Sequence, residues 1–548
     1  MSASVSPASI LILVERSDRW FSTPEAYAEL MRVEGINDVE GAYFDDVTPD
    51  LLAGRAVTLV GPGDPSPEMV KSLIAFAYNG GGLICCSPGE AFAAALGLDP
   101  LLRGLSNCRI EIGQDGYPDT GLPIKGWSSF YTLKPEANCT NVLPLKEACG
   151  AATGFPALIE LSEGDGVIVV LSYDPAMAVY LLRQGNPMLA GCRSSGFSRM
   201  RPSDLFDRWQ DPLDAEWPVA DLHCHFLRET VQRVWPGDTV LPWLWYFPDG
   251  ADTLLTFTSD DDWSTKEHFE RLLASCESHR AGLTLYLVQK GSVMDRAWLE
   301  ALIASGFDFS IHPDLPPPTL PLWENRLADH VRQFQDTYGR PPSGSVRNHC
   351  ITWSGYLDGA RIEARQGFSF DTNYFSLLPQ GKYFMNGAGL PMRFVDTTGD
   401  TLGVFQLPTQ FSDETTLVGP GFPFSLNLTA DQGIDLITGL INRCAGPTAS
   451  MMCVNAHPVS FATYSAPLWE PVLQFARDNG IPVWDVERFN KFWQNRRSIR
   501  LRPIKKGSLP DFSEWTSALS GMAVMLPETP TGEGSVKQVG GKTYRMIS

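Results

Sequence analysis

Apolar residues along the chain fall into short unbroken runs, separated by stretches in which they recur every three or four positions. In the first 110 residues or so, ILILVE reads as a strand, PEAYAELMRVEG as an amphipathic helix and AVTLVGPG as a strand stopped by Gly and Pro. PEMVKSLIAFAYNGGG then reads as a helix closed by glycines, GGLICC as a strand and GEAFAAALGL as a helix. Continuous apolar strands alternating with helices predict a doubly wound parallel sheet. Residues 111 to 200, with the strand VIVVLSYDP, complete this first domain, 1–200. Residues 201–240 read as a helical linker.

The rhythm restarts near Tyr246. LLTFT is a strand and TKEHFERLLASCESH a helix with Phe269, Leu272, Leu273 and Cys276 on one face. Strand LTLYLV, helix DRAWLEALIAS, strand FDFSIHPD, helix WENRLADHVRQFQDTYG, strand GSVRNHC, helix LDGARIEARQ and strand FSFDTN follow. An irregular stretch, 376 to 430, supplies loops. The pattern resumes with helix DLITGLINRCA, strand MMCVNAHP, helix LWEPVLQFARDNG and strand PVWDV. Repeated crossovers of one kind predict a (β/α) barrel over 241–500. Residues 501–548, with MAVMLPE and KTYRMI, read as a small C-terminal β appendage. The expected fold class is therefore α/β, a doubly wound sheet plus a barrel.

Composition narrows the function classes. The 548 residues are 43% hydrophobic and 19% charged, as in globular proteins, and the net charge of -20 opposes a phosphate backbone or an anionic membrane surface. Eleven cysteines lie scattered from Cys85 to Cys453 without metal-type spacing, the pattern of thiols in a reducing compartment. The N-terminal apolar run ends at Glu15 and Arg16, too soon for a signal segment, and no stretch approaches a membrane span, so a soluble cytoplasmic location is expected. These features leave a homo-oligomer open.

The chemistry-bearing residues gather at strand ends. Asp260 and Asp261 follow the first barrel strand, His312 ends the third, Arg347 and His349 the fourth, Asp371 the fifth, and His457 a late one. In a parallel barrel such ends share one rim, where catalytic groups collect. Three adjacent carboxylates, Asp260 to Asp262, repel one another unless a cation offsets them. A divalent ion there would polarise a carbonyl and acidify water, a spare aspartate would take the proton and an opposed histidine would protonate the leaving group. Asp262 also stands where it could cap the following helix. Two rim carboxylates, Asp260 with Asp371 or Asp413, would alternatively suit glycoside hydrolysis. The segment HCH, at His223 and His225, has metal-like spacing, but helical periodicity there turns the two imidazoles apart. His268, His279 and His330 read as solvated helix-surface groups. Trp263, Trp353, Tyr356 and Tyr374 could line a sugar cleft by stacking.

The order of these motifs resembles the polysaccharide deacetylase (NodB-homology) family over about residues 245 to 495. TSDDDW is similar to its aspartate motif, SIHPDL to its first metal-histidine motif, VRNHCITW to its arginine motif and VNAHP to its late histidine motif. The resemblance implies a metal-dependent hydrolase that removes acetyl groups from carbohydrate. It implies Asp260 as general base, Asp261 as metal ligand with His312, His457 as general acid and Arg347 as the residue orienting the base, with Asp371 pairing Arg347. A register shifted to Asp261 and Asp262 stays open. The family's second metal histidine falls at Pro316 here, so His349 is taken as the third ligand of a zinc-like site. Substrate contacts are expected from Trp263, Trp353, Tyr374 and Asp371. Other C–N amides, cyclic imides or ureides among them, and noncatalytic glycan binding remain open as alternatives. GLICC and SPGE resemble class I glutamine amidotransferase-like domains, here noncatalytic because no histidine precedes His223, which leaves Cys85 and Cys86 as ordinary buried thiols.

Overall fold

The computed structural model describes residues 8–547 except 113–123, 127, 135–138, 194–196, 207–214, 238, 316–318, 377–387, 418–424, 447, 511–519, 528–533 and 540–541. Pro316 therefore lies outside the described residues. The N-terminal sheet runs, edge inward, Val39–Tyr43, Ile10–Val14, Val57–Val60, Gly82–Cys86 and Gly166–Leu171, all parallel. It continues antiparallel through Ala152–Glu163, Cys139–Lys146, Arg109–Ile110 and Ile124–Lys125. The parallel half follows the apolar runs. Val39–Tyr43 escapes the pattern because it is an edge strand with no fully buried residue.

The second sheet is built on parallel strands in the order Phe370–Asp371, Ser345–Val346, Asp308–His312, Thr284–Val288, Leu255–Asp260, Met452–Ala456 and Thr409–Ser412. Thr409 pairs with Cys453 on one side and bridges to Phe375 on the other, which curls the sheet into a barrel. Along Leu255–Asp260 the pleat sends Leu255 and Phe257 outward to the helices and Thr256, Thr258 and Asp260 inward. Helix Lys266–His279 buries Phe269, Leu272, Leu273 and Cys276 as its spacing predicts, but its cap is Thr265, in reciprocal hydrogen bonding with His268, and not Asp262. His330 departs from its expected exposure. It falls in the buried stripe Trp323, Leu327, His330, Phe334, Tyr338 of helix Leu320–Tyr338, where burial pushes its imidazole down to about 3.

Helix Val219–Arg233 carries HCH and lies buried where both sheets meet. His223 bonds the Tyr173 hydroxyl and the Lys125 carbonyl, while His225 bonds Glu34 and the Thr448 carbonyl. The two imidazoles do diverge, and both are spent on packing. A single apolar cluster takes in Ile12 and Leu171 of the first sheet together with Phe370, Met392 and Cys453 of the second. Strands Val524–Leu526, Ser535–Val539 and Lys542–Ile547 form a small sheet with Trp243–Leu244. No helix among the described residues is long and apolar enough to cross a membrane.

Candidate active site

The inward side of the barrel strands is polar, and its centre is Arg347. This fully buried guanidinium donates to the Thr258 hydroxyl at 2.7 Å, to the Thr409 hydroxyl at 2.8 Å and to the Asn455 side-chain oxygen. It stands 3.4 Å from Asp260 Oδ1, and Asn455 Nδ2 donates to Asp260 Oδ2 at 3.0 Å. Asp260 is thereby fixed by a cation and an amide at the bottom of a pocket of about 340 Å³. His457 faces it, with Nε2 3.9 Å from Asp260 Oδ2. The other ring nitrogen, Nδ1, donates to Asp413 Oδ1 at 2.8 Å, and the His457 backbone N–H donates to Asp413 Oδ2 at 2.9 Å. Burial would lower the His457 pKa, but the Asp413 and Glu414 carboxylates beside it hold the imidazole well above its ordinary value. This is the arrangement of a positioned proton donor.

The three aspartates divide by strand geometry. Period-two alternation along Leu255–Asp260 points Asp260 inward and sends Asp261 to the other side. Asp261, expected as a metal ligand, is buried under the loop, where Oδ1 accepts from the Ser264 N–H and Oδ2 from the Val288 N–H. Burial pushes its carboxyl up. Asp262 and Trp263 take left-handed backbone conformations, φ 42° and 56°, and the turn carries the Asp262 carboxylate back over the pocket. There Asp262, His312 and His349 place ligand atoms within 4.8 Å of one another.

The hydrogen bonding of that cluster fits a cation. His312 Nδ1 donates to the Arg347 carbonyl at 2.8 Å, which in the neutral ring leaves the lone pair of Nε2 facing Asp262 Oδ1 at 3.2 Å. Two acceptors so placed need a proton or a metal between them. Without a metal the proton is held: burial disfavours charged His312, but Asp260 and Asp262 raise its pKa, and His312 in turn lowers that of Asp262 against the effect of burial. His349 Nδ1 lies 3.3 Å from Asp314 Oδ1, a carboxylate that orients the ring. Two imidazoles and one carboxylate are a donor set suited to zinc with positions left open.

Four expected substrate contacts separate. Trp263 is 52% exposed at the rim, edge-on to His349, with its indole N–H on the Lys290 carbonyl. Trp353 and Tyr374 are instead buried against each other and Phe394, because the chain after His349 turns into the core. Asp371 is buried beneath the site with Asn373 and Glu363, where burial pushes both carboxyls up, and the ion pair of Arg347 is with Asp260. A glycosidase pair of Asp260 with Asp371 is thus not available, and Asp413 is committed to His457. The pocket walls come from residues with no signal in sequence: Phe197, Ile351 and Phe375, with Arg201 at the edge. Sequence order does not single out Asn455 or Asp413 for these roles either, although a lone Asn in the strand MCVNA is a clue.

The chain matches no protein-family model and no curated protein. Solved structures do align with it. One is a protein from Mycobacterium smegmatis described as a polysaccharide deacetylase, at 15% identity and TM-score 0.38, covering 50% of this chain and 99% of that one. The allantoinase PuuE aligns at 12% identity and TM-score 0.36 over 45% of this chain and 92% of its own. A Streptococcus mutans CE4 esterase aligns at 15% identity and TM-score 0.30 over 43% and 87%.

Proposed function

We propose that the protein is a metal-dependent hydrolase of acyl amides or esters, with acetylated carbohydrate as its substrate class. The observation that carries this reading is the opposition of Asp260 to the His457–Asp413 pair across the Asp262, His312, His349 cluster. These three residues would hold a divalent cation, zinc by donor type, and the ion when bound would polarise the acyl carbonyl and lower the pKa of water. Asp262 replaces Asp261 in the expected ligand set. Asp260, held in place by Arg347 and Asn455, takes a proton from the attacking water. His457 gives a proton to the departing nitrogen or oxygen, and Asp413 keeps its Nε2–H turned toward the pocket. Phe197, Ile351 and Phe375 exclude water around the acyl group.

The test is release of acetate from a panel of N- and O-acetylated sugars, beside cyclic imides and ureides, by the zinc-loaded enzyme. Activity should vanish with a chelator, return with added zinc and be lost in Asp260→Asn. Turnover that survives exhaustive chelation overturns the mechanism. Turnover of only the cyclic amides overturns the substrate class.

A further inference from the structure

A second pocket, sharing no lining residue with the first, lies at the C-terminal edge of the N-terminal parallel strands. The chain leaves Ile10–Val14 for Val39–Tyr43 on one side and returns to Val57–Val60 on the other. Such a reversal splays the loops apart and opens a crevice where ligands of open α/β sheets bind. A cavity of about 410 Å³ opens at this edge, lined by Arg19, Trp20, Ser87, Ser128, Tyr131 and Asp174, among others. Its groups come from loops following four parallel strands and from the segment 128–131.

Three features of this pocket are not explained by packing. Asp174 is only 8% exposed, and its Oδ1 accepts all three of its hydrogen bonds, from the Tyr27 hydroxyl at 2.7 Å and from the Ala176 and Met177 N–H groups. Its Oδ2 has no donor among the described residues. The Ser128 hydroxyl is likewise buried without a partner among them. Ser87, at the turn from strand Gly82–Cys86 into helix Glu90–Ala95, sits at φ 47°, a strained backbone for a residue with a side chain. Asp174 Oδ2 is left free to accept from a ligand in the pocket, an unmade hydrogen bond at the buried Ser128 hydroxyl is costly, and strain of this kind is kept where it positions a group.

The chemistry of the lining selects the ligand. The two charged side chains, Arg19 and Asp174, cancel, so the pocket favours no ionic ligand. It offers a carboxylate oxygen and several hydroxyls that can accept from or donate to alternating OH groups, with Trp20 and Tyr131 providing aromatic faces for C–H surfaces. We infer that this crevice is a binding site for a neutral polyhydroxylated molecule of one or two sugar rings, separate from the hydrolytic pocket and independent of its assignment.

The test is calorimetric titration of the full chain with glucose, cellobiose and chitobiose. Asp174→Asn keeps the Oδ1 acceptor of the helix cap and exchanges Oδ2 for an amide donor; Trp20→Ala removes the aromatic face without touching the cap. Binding of at least one of the three sugars by wild type is expected, unchanged in Asp262→Asn and weakened about tenfold or more in both pocket variants, with melting temperatures preserved. If Asp174→Asn fails to fold, Trp20→Ala and Ser128→Ala carry the test. No binding of any of the three sugars, loss of binding in Asp262→Asn, or full binding in the pocket variants would overturn the inference.

Discussion

Replacing Asp262 by asparagine separates the geometric ligand assignment from the one that sequence order suggested. In the fold Asp262 Oδ1 faces His312 Nε2 at 3.2 Å, while Asp261 Oδ1 and Oδ2 are occupied by the N–H groups of Ser264 and Val288. A tightly held structural zinc releases about 10–16 kcal/mol over four protein ligands, so one ligand corresponds to about 3–4 kcal/mol, or about 10²–10³-fold in affinity. Asp262→Asn should weaken zinc binding by that factor. Asp261→Asn keeps an acceptor for one of the two loop N–H groups, turns its amide N–H2 toward the other and acts only through the ligand's surroundings, so in the folded variant its effect should stay within about tenfold. The assay is competition for zinc against a chromophoric chelator, with folding followed by circular dichroism on the same samples. Zinc affinity retained in Asp262→Asn and lost in folded Asp261→Asn refutes the reasoning.

Three further outcomes follow from particular contacts. Asp413→Asn should lower kcat by about 10–100-fold with KM little changed, because the partner that orients His457 becomes neutral, and steady-state kinetics on a released-acetate substrate reads this directly. Asp308 is pushed up to about 7, first by burial and then by the Asp485 charge, against an ordinary 3.8. The folded state therefore holds this proton longer than the unfolded chain, and the corresponding stability is complete below about pH 4 and lost as pH rises through 7. It amounts to at most about 4 kcal/mol. Asp308→Asn, which can still accept from Thr284 and Ser343, should melt above wild type at pH 8 and close to it at pH 4, as differential scanning fluorimetry will show. Deleting residues 1–200 should give an insoluble barrel, since Phe370, Met392 and Cys453 share their apolar cluster with the first sheet; a soluble, cooperatively melting fragment would contradict that.

The strands and helices are legible because burial writes them with period two or 3.6, and the strand-end rule gathers Asp260, His312, Arg347, His349 and His457 from sequence alone. What stayed hidden depends on backbone turns and on contacts distant in sequence. The left-handed turn at Asp262 and Trp263 alters which of three identical residues faces the pocket, and no periodic pattern encodes it. Trp353 and Tyr374 look like cleft aromatics in sequence but pack inward. Asp413 reaches His457 across 44 residues, a pairing set by the neighbouring strands Thr409–Ser412 and Met452–Ala456.

Arg347 serves two masters through two different parts of one residue. Its guanidinium holds Asp260, and its carbonyl receives the Nδ1–H of His312. The Asp260 carboxylate and the His312 ring are therefore anchored to a single residue, so that any movement of that residue shifts both in concert. Exchanging the side chain would alter the setting of Asp260 while leaving the orientation of His312 intact, but a backbone insertion at this point would misalign both in one step. The segment around Arg347 is for that reason where the fold should tolerate substitution more readily than a change in length.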